Sequence, residues 1–432
     1  MLPYAMALSA TALAHVGAPI DAVDIHAVDE IGRALEASVG LAWTEDGDDW
    51  RWVCHEAITT PDAVITPQYA IAGRHWLATV PRMAESRTEA DAVYWTDDGC
   101  TWTMAEGLHG HEVPAVALHS DGTIALAVSG DPDSHNTIFR STDGGRTFAS
   151  VLSVPDQLLT SVVIAKGTAD TAMVGGFDAD GTGWLHWSRD LGETWSSAAV
   201  TEGEVVAMAL HPTNPDVGYA VIDGVGVETL LYTDDGGASV DVLIDPEGFI
   251  SDVAVGADDQ AWVAFGGTAF LHAADGVTFE LATEAPPGLG VGLHGDRVML
   301  ATRFEMVNSA LAEGTRADGF EPVFTFMAFD GPMDCPAGTH GAEVCDGLFP
   351  LLQESLGLVD LDDTGDPGSG DDGGDGGDAG SGTGDTPTTD SGAPAEGTST
   401  DTDKSGCGKG AWLLLVPLLG LAGVRSRRPG DR

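Results

Sequence analysis

Short apolar runs broken by Gly, Asp, Asn and Pro recur through the first three quarters of the chain. Val205-Val206-Ala207-Met208-Ala209-Leu210 leads into His211-Pro212-Thr213-Asn214-Pro215 and then Gly218-Tyr219-Ala220-Val221. That order is strand, turn, strand. Ala115–Leu118 with Ile124–Val128, and Ile250–Val255 with Ala261–Phe265, repeat the pattern. The 58 glycines argue further against a helical bundle.

Between the strand pairs a second pattern repeats. Ser141-Thr142-Asp143-Gly144-Gly145-Arg146-Thr147-Phe148 and Ser188-Arg189-Asp190-Leu191-Gly192-Glu193-Thr194-Trp195 both read S-x-D-x-G-x-T-[WF]. Trp95 to Trp102 matches except at its first residue, which places Asp97, Gly99 and Trp102 in the key positions. Thr233 to Val240 is a softened copy, with Asp235 and Gly237. Trp43–Trp50 and His272–Phe279 are worn copies, and Asp318-Gly319-Phe320 marks a seventh unit. The Thr-equivalent positions are 49, 101, 147, 194, 239 and 278, a period in the forties. Physically such a segment is a hairpin turn. Its Asp accepts backbone N–H bonds, its Gly takes a positive φ, and its aromatic packs between strands.

These segments resemble the Asp-boxes of BNR/Asp-box β-propellers, the family of sialidases, sortilin-type domains and photosystem-assembly propellers. The resemblance implies an all-β, seven-bladed β-propeller over about residues 22–329, with six blades as the competing count. It also implies that the boxes lie on the blade periphery, away from the central channel, so that Asp143 and Asp190 are structural.

Charge narrows the function. With 18 Lys+Arg against 68 Asp+Glu the formal net charge is −50, and Lys166, Lys404 and Lys409 are the three lysines. No basic patch exists to meet nucleic-acid phosphates or anionic lipid. The excess acid favours a soluble monomer.

The two ends predict export. Residues 1–18 are apolar and Ala-rich, with small-residue cleavage candidates, although the first Arg is Arg33. Residues 359–404 hold Asp, Gly, Ser, Thr and Pro almost alone and predict a disordered acidic linker. Residues 405–432 contain Cys407, a 14-residue apolar run, Ala411 to Val424, and then Arg425, Arg427 and Arg428. The run is short for a membrane span, and the arginines suit a cytoplasmic end. This tail resembles the Myxo-CTERM type of C-terminal sorting signal. It implies processing near Cys407 and display at the outer membrane or cell surface, with membrane contact through the tail alone.

Candidate chemistry in the body is sparse. Residues 330–358 form an extension in which Cys335 and Cys345 are expected to pair, followed by an apolar Leu348–Leu352 stretch that predicts a short docking helix. Cys54 and Cys100, in neighbouring blades, are open to a second pairing. His109 and His111, beside Glu112, have a chelating spacing for Zn²⁺. Asp178 with Asp180, and Asp131 with Asp133, are acidic turns open to Ca²⁺. No other cofactor and no catalytic residue is indicated. The Arg-Ile-Pro motif of sialidases is absent. The expectation is a non-enzymatic, surface-displayed binding module for a glycan or protein. A glycosidase-like hydrolase with channel carboxylates is the first alternative, and an envelope assembly or scaffold factor the second.

Overall fold

The computed structural model describes residues 21–358 except 29–32, 59–66, 81–92, 131–135, 225–226 and 245–247. The expected export segment, the expected acidic linker, the expected sorting tail with Cys407 and its arginines, and Asp131–Asp133 therefore lie outside the described residues. No helix among those described is long and apolar enough to cross a membrane.

Seven antiparallel sheets follow one another along the chain, so the propeller has seven blades and not six. Blade 1 takes Ala22–Val28, Arg33–Ala37, Gly40–Thr44 and Arg51–Val53; blade 4 takes Gln157–Ile164, Ala172–Asp178, Thr182–Ser188 and Ser196–Glu202. Blade 7 is Gly288–His294, Arg297–Thr302, Leu311–Thr315 and Gly319–Phe324. In every blade strand order is chain order, the pattern of an up-and-down meander. The first strands of neighbouring blades lie against one another all the way round, which puts them at the axis. Burial follows from that geometry. Second strands are covered on both faces by adjacent blades, so Leu126, Val174, Trp262 and Leu300 are fully buried.

The repeated turns connect third to fourth strands. Asp143 accepts from the N–H of Arg146 (3.1 Å) and of Thr147 (2.9 Å), and from the hydroxyls of Ser141 and Thr147 (both 2.7 Å). Asp190 and Asp235 repeat this with Thr194 and Ser239. Gly192 has φ +85°, and a Cβ there would stand 2.6 Å from Leu126 of the preceding blade. The glycine thus answers both a turn and a blade–blade approach.

The second blade departs from the alignment. Its capping residue is Asp98, not Asp97. Asp98 accepts from Cys100 N and Thr101 N at 2.8 Å and from Thr96 Oγ1 at 2.9 Å. The turn is one residue shorter, so the hydroxyl that opens it is Thr96. Asp46 and Asp275 cap the same short form. Asp97 instead binds Arg146 of the next blade and His75.

Closure is made by the segment after blade 7. Gly331–Pro332 adds to the outer edge of blade 1 as a parallel fifth strand beside Arg51 and Trp52. Asp330 accepts from Trp50 N, and Met333 N donates to Trp52 O. The helix His340–Ser355 follows, capped by Thr339 and burying Ala342, Cys345 and Leu352. It is longer than the Leu348–Leu352 stretch predicted, because Gly341 to Gly347 also carry a helical pattern of small and apolar positions onto blade 1.

The expected Cys335–Cys345 bridge is not formed. Cys54 pairs with Cys345, and Cys100 pairs with Cys335. Cys54 and Cys100 are accordingly not partners. The reason is placement: Cys335 enters beside the blade 2 turn, while Cys345 lies on the buried face of the helix, against blade 1. Gly341 allows that approach, since a Cβ there would lie 3.0 Å from Cys100 O.

Two outcomes follow. Asp143→Ala should lower stability by about 1–2 kcal/mol, as expected for loss of a multiply used acceptor, in thermal or urea unfolding. Breaking one bridge with paired serines (Cys54→Ser with Cys345→Ser) should cost about 2–5 kcal/mol; an unchanged midpoint would show that the segment does not hold the ring.

Candidate functional site

The axial channel is where the fold brings chemistry-bearing side chains together. Asp24 and His26 stand on the first strand of blade 1, whose pairing shifts register between Ile25 and Ala27. Asp252 lies on the first strand of blade 6, Ile250–Val255. Between those blades the first strand of blade 7 carries Gly290. A Cβ at Gly290 would come within 2.9 Å of the Asp24 Cα, so a glycine is what lets blades 7 and 1 approach.

Each carboxylate is held by backbone. Asp24 Oδ1 accepts from Ile25 N at 2.6 Å. Asp252 accepts from Val253 N on Oδ1 and from Val291 N on Oδ2, both at 2.7 Å. The second of these bonds joins blades 6 and 7. Asp24 Oδ2 lies 3.5 Å from His26 Nδ1, and His26 Nε2 lies 2.5 Å from Glu36 Oε2. The result is a carboxylate–imidazole–carboxylate chain. Its inner end opens to the channel, with the Asp24 side chain 41% exposed; its outer end is closed, with Glu36 at 7%. Tyr69, on the first strand of blade 2, donates its backbone N–H to Glu36.

Electrostatics separate these groups. Burial raises the Asp252 carboxyl to about 7, and the Asp24 charge adds to the rise against two backbone bonds and Lys166. Burial pushes Asp24 up as well, but the positive charges of His26 and Lys166 outweigh it and hold Asp24 below the usual range. Burial lowers His26, yet Asp24 and Glu36 overcome it and raise His26 overall. Burial raises Glu36 more than His26 lowers it. Near neutral pH the channel thus holds an ionised Asp24 within electrostatic reach of a carboxyl that keeps its proton for part of the time.

The sequence-derived metal candidates are not brought together. His111 packs its ring edge-on against Phe139 at 4.8 Å, and His109 is exposed. Asp178 is used by its own turn, accepting from Asp180 N, Thr182 N and Trp184 Nε1. Among the described residues no three His, Cys, Asp or Glu side chains are placed to hold a metal. Sequence reasoning did not find Asp24, His26, Glu36 or Asp252. Asp24 and His26 share one short apolar strand, Glu36 lies on the strand after it and Asp252 on a third, so the one available signal was a charged residue within an apolar run.

No protein-family model matches this sequence, and no curated protein matches it. Solved structures share its fold at low identity. YCF48 bound to D1 peptide is 15% identical with TM-score 0.45, over 66% of this chain and 91% of that one. The Dos1 propeller is 9% identical with TM-score 0.47, over 72% and 85%. Prolyl oligopeptidase B from Galerina marginata is 8% identical with TM-score 0.49, over 71% of this chain and 51% of that one. This chain therefore spans about half the length of that enzyme.

The raised Asp252 makes a signed prediction. The folded protein keeps this proton up to about pH 7, whereas the unfolded chain loses it near the ordinary aspartate value of 3.8. Its stabilising contribution is therefore present below that lower value and is lost as pH rises through about 7. Asp252→Asn should shift the urea midpoint upward more at pH 8 than at pH 5; an equal shift at both would contradict the assignment.

Proposed function

We propose that this chain is an exported, surface-displayed, non-enzymatic binding module of the Asp-box propeller type, and that its partner is a protein engaged at the channel. The observation that carries the reading is the arc of Asp252, Asp24, His26 and Glu36, fixed by backbone bonds in a rigid ring. Such an arc offers preorganised polar contacts to a partner. The two disulfides support an oxidising compartment and hence export. The Myxo-CTERM-like tail supports display through processing at Cys407.

A glycan partner is less favoured. No tryptophan among the described residues is fully exposed; Trp95, Trp102, Trp184 and Trp195 are half-buried, and Arg146 covers the Trp95 ring. Trp43, Trp50, Trp76 and Trp262 are buried in the blades. The competing hydrolase reading draws on the same Asp24 and Asp252, whose titrations are pushed apart. A reducing-end release assay separates the two. The secreted protein should release no sugar from a broad polysaccharide and sialoglycan panel; release abolished by Asp24→Asn would replace the binding reading with a hydrolase.

A further inference from the structure

The two ends of the ring differ in charge. Strands alternate in direction within each blade, so the first-to-second and third-to-fourth turns lie at one end. The second-to-third loops and the entries to the first strands lie at the far end. Among the described residues Arg303 is the one arginine or lysine at the far end, on the second-to-third loop of blade 7, and Asp21 neutralises it at 3.0 Å. Every other described arginine, and Lys166, lies in or beside a turn of the opposite end. Glu204, Asp223 and Glu228 of blade 5 stand at the far end, directly opposite one another across three strands. Like charges so placed repel. Burial, and after it the charge of Asp223, raises the Glu204 and Glu228 carboxyls above the ordinary range. Beside this row the same end exposes apolar side chains. Phe249 enters blade 6 and is 45% exposed; Met306, on the blade 7 loop, is 59% exposed. Both belong to one surface. Glu228 N donates to Gly248 O, Gly266 N to Phe249 O, and Met306 N to Arg303 O. A Cβ at Gly267 would stand 2.8 Å from Arg303, 3.1 Å from Leu289 and 3.3 Å from Phe249, so these three side chains meet around that glycine.

We propose that the far end of blades 5, 6 and 7 is a docking surface for a protein segment that carries apolar side chains flanked by lysines or arginines. Phe249, Leu289 and Met306 receive the apolar side chains, and the blade 5 carboxylates meet the basic flanks. An exposed aromatic ring and a methionine are residue types that interfaces concentrate. Charge complementarity selects the occupant. A second copy of this chain brings the same net charge of −50 and is repelled. A basic segment is drawn to an end whose one arginine is already neutralised, and its lysines or arginines relieve the repulsion within the row. The opposite end competes poorly, because its acids have resident arginines, as Asp97 has Arg146 and Asp216 has Arg189. The surface is continuous with the channel, since Phe249 leads directly into the strand Ile250–Val255 that carries Asp252. This inference rests on the protein-partner reading and names the chemistry of that partner.

The test measures fluorescence anisotropy with the full chain and labelled peptides. Lys-Lys-Phe-Leu-Lys-Lys should bind. Lys-Lys-Gly-Ser-Lys-Lys and Glu-Glu-Phe-Leu-Glu-Glu, which lack the apolar centre and the basic flanks in turn, should bind at least about tenfold more weakly. Phe249→Ser and Met306→Ser, at exposed positions, should each weaken the first peptide about fivefold or more. Asp223→Asn combined with Glu228→Gln should weaken it by a similar factor and flatten its dependence on salt. The glutamine keeps an oxygen for the N–H of Ile250, which Glu228 now accepts. Leu351→Ser, at a 52% exposed position on the C-terminal helix, should leave binding unchanged. No binding of the first peptide, equal binding of either control peptide, or binding as sensitive to Leu351→Ser as to Phe249→Ser and Met306→Ser would overturn the inference. Sugar release in the reducing-end assay would end the binding-module reading itself. Failure of the peptides without sugar release would end the partner chemistry alone, so the two failures are distinguishable.

Discussion

A ring of seven separate sheets has to be closed, and in this chain no sheet contains both its first and its last propeller strands. The four propeller strands of blade 1 come from the N-terminal side and those of blade 7 from the C-terminal side. The packing of Ala22–Val28 on Gly288–His294 brings the two together at the axis. What keeps them together is the return of the chain after Phe324. A two-residue parallel strand, the helix His340–Ser355 and two disulfides fasten that return to the outside of blades 1 and 2. The bridges span 291 and 235 residues of sequence. Crosslinks over such long loops restrict the unfolded chain most in the entropy model. The channel depends on this closure, because Asp24 belongs to blade 1 and Asp252 to blade 6, with the closing seam between them.

Much of this fold was legible in the sequence, and the reason is local. An S-x-D-x-G-x-T-[WF] turn is specified by hydrogen bonds within seven or eight residues, so Asp143 and Asp190 can be placed without knowing the ring. The strand pairs around His211–Pro215 and around Gly256–Gln260 were legible because turn chemistry brackets each apolar run. The misreadings come from the same locality. A box shortened by one residue keeps the Asp, Gly and Trp letters, and only its hydrogen bonds show that Asp98 caps the turn while Asp97 reaches across to Arg146. The cysteines mislead in the same direction. Cys335 and Cys345 are close in sequence, but their partners are fixed by where the return segment crosses blades 1 and 2.

The channel was not legible. Its residues come from strands more than two hundred positions apart, with Asp24 and His26 in one apolar run and Asp252 in another. Only the ring places Asp252 beside Asp24, and only a glycine at 290 lets the seam approach closely. The weight of acidic residues in the chain obscured the three that matter, Asp24, Glu36 and Asp252.

The most direct test of the account is the disulfide pairing, because closure, the position of the helix and the integrity of the channel all follow from it. Peptide mapping of the protein without reduction should recover Cys54 linked to Cys345 and Cys100 linked to Cys335. Recovery of a Cys335–Cys345 peptide, or of four free thiols, would contradict it and leave the ring without its fastening.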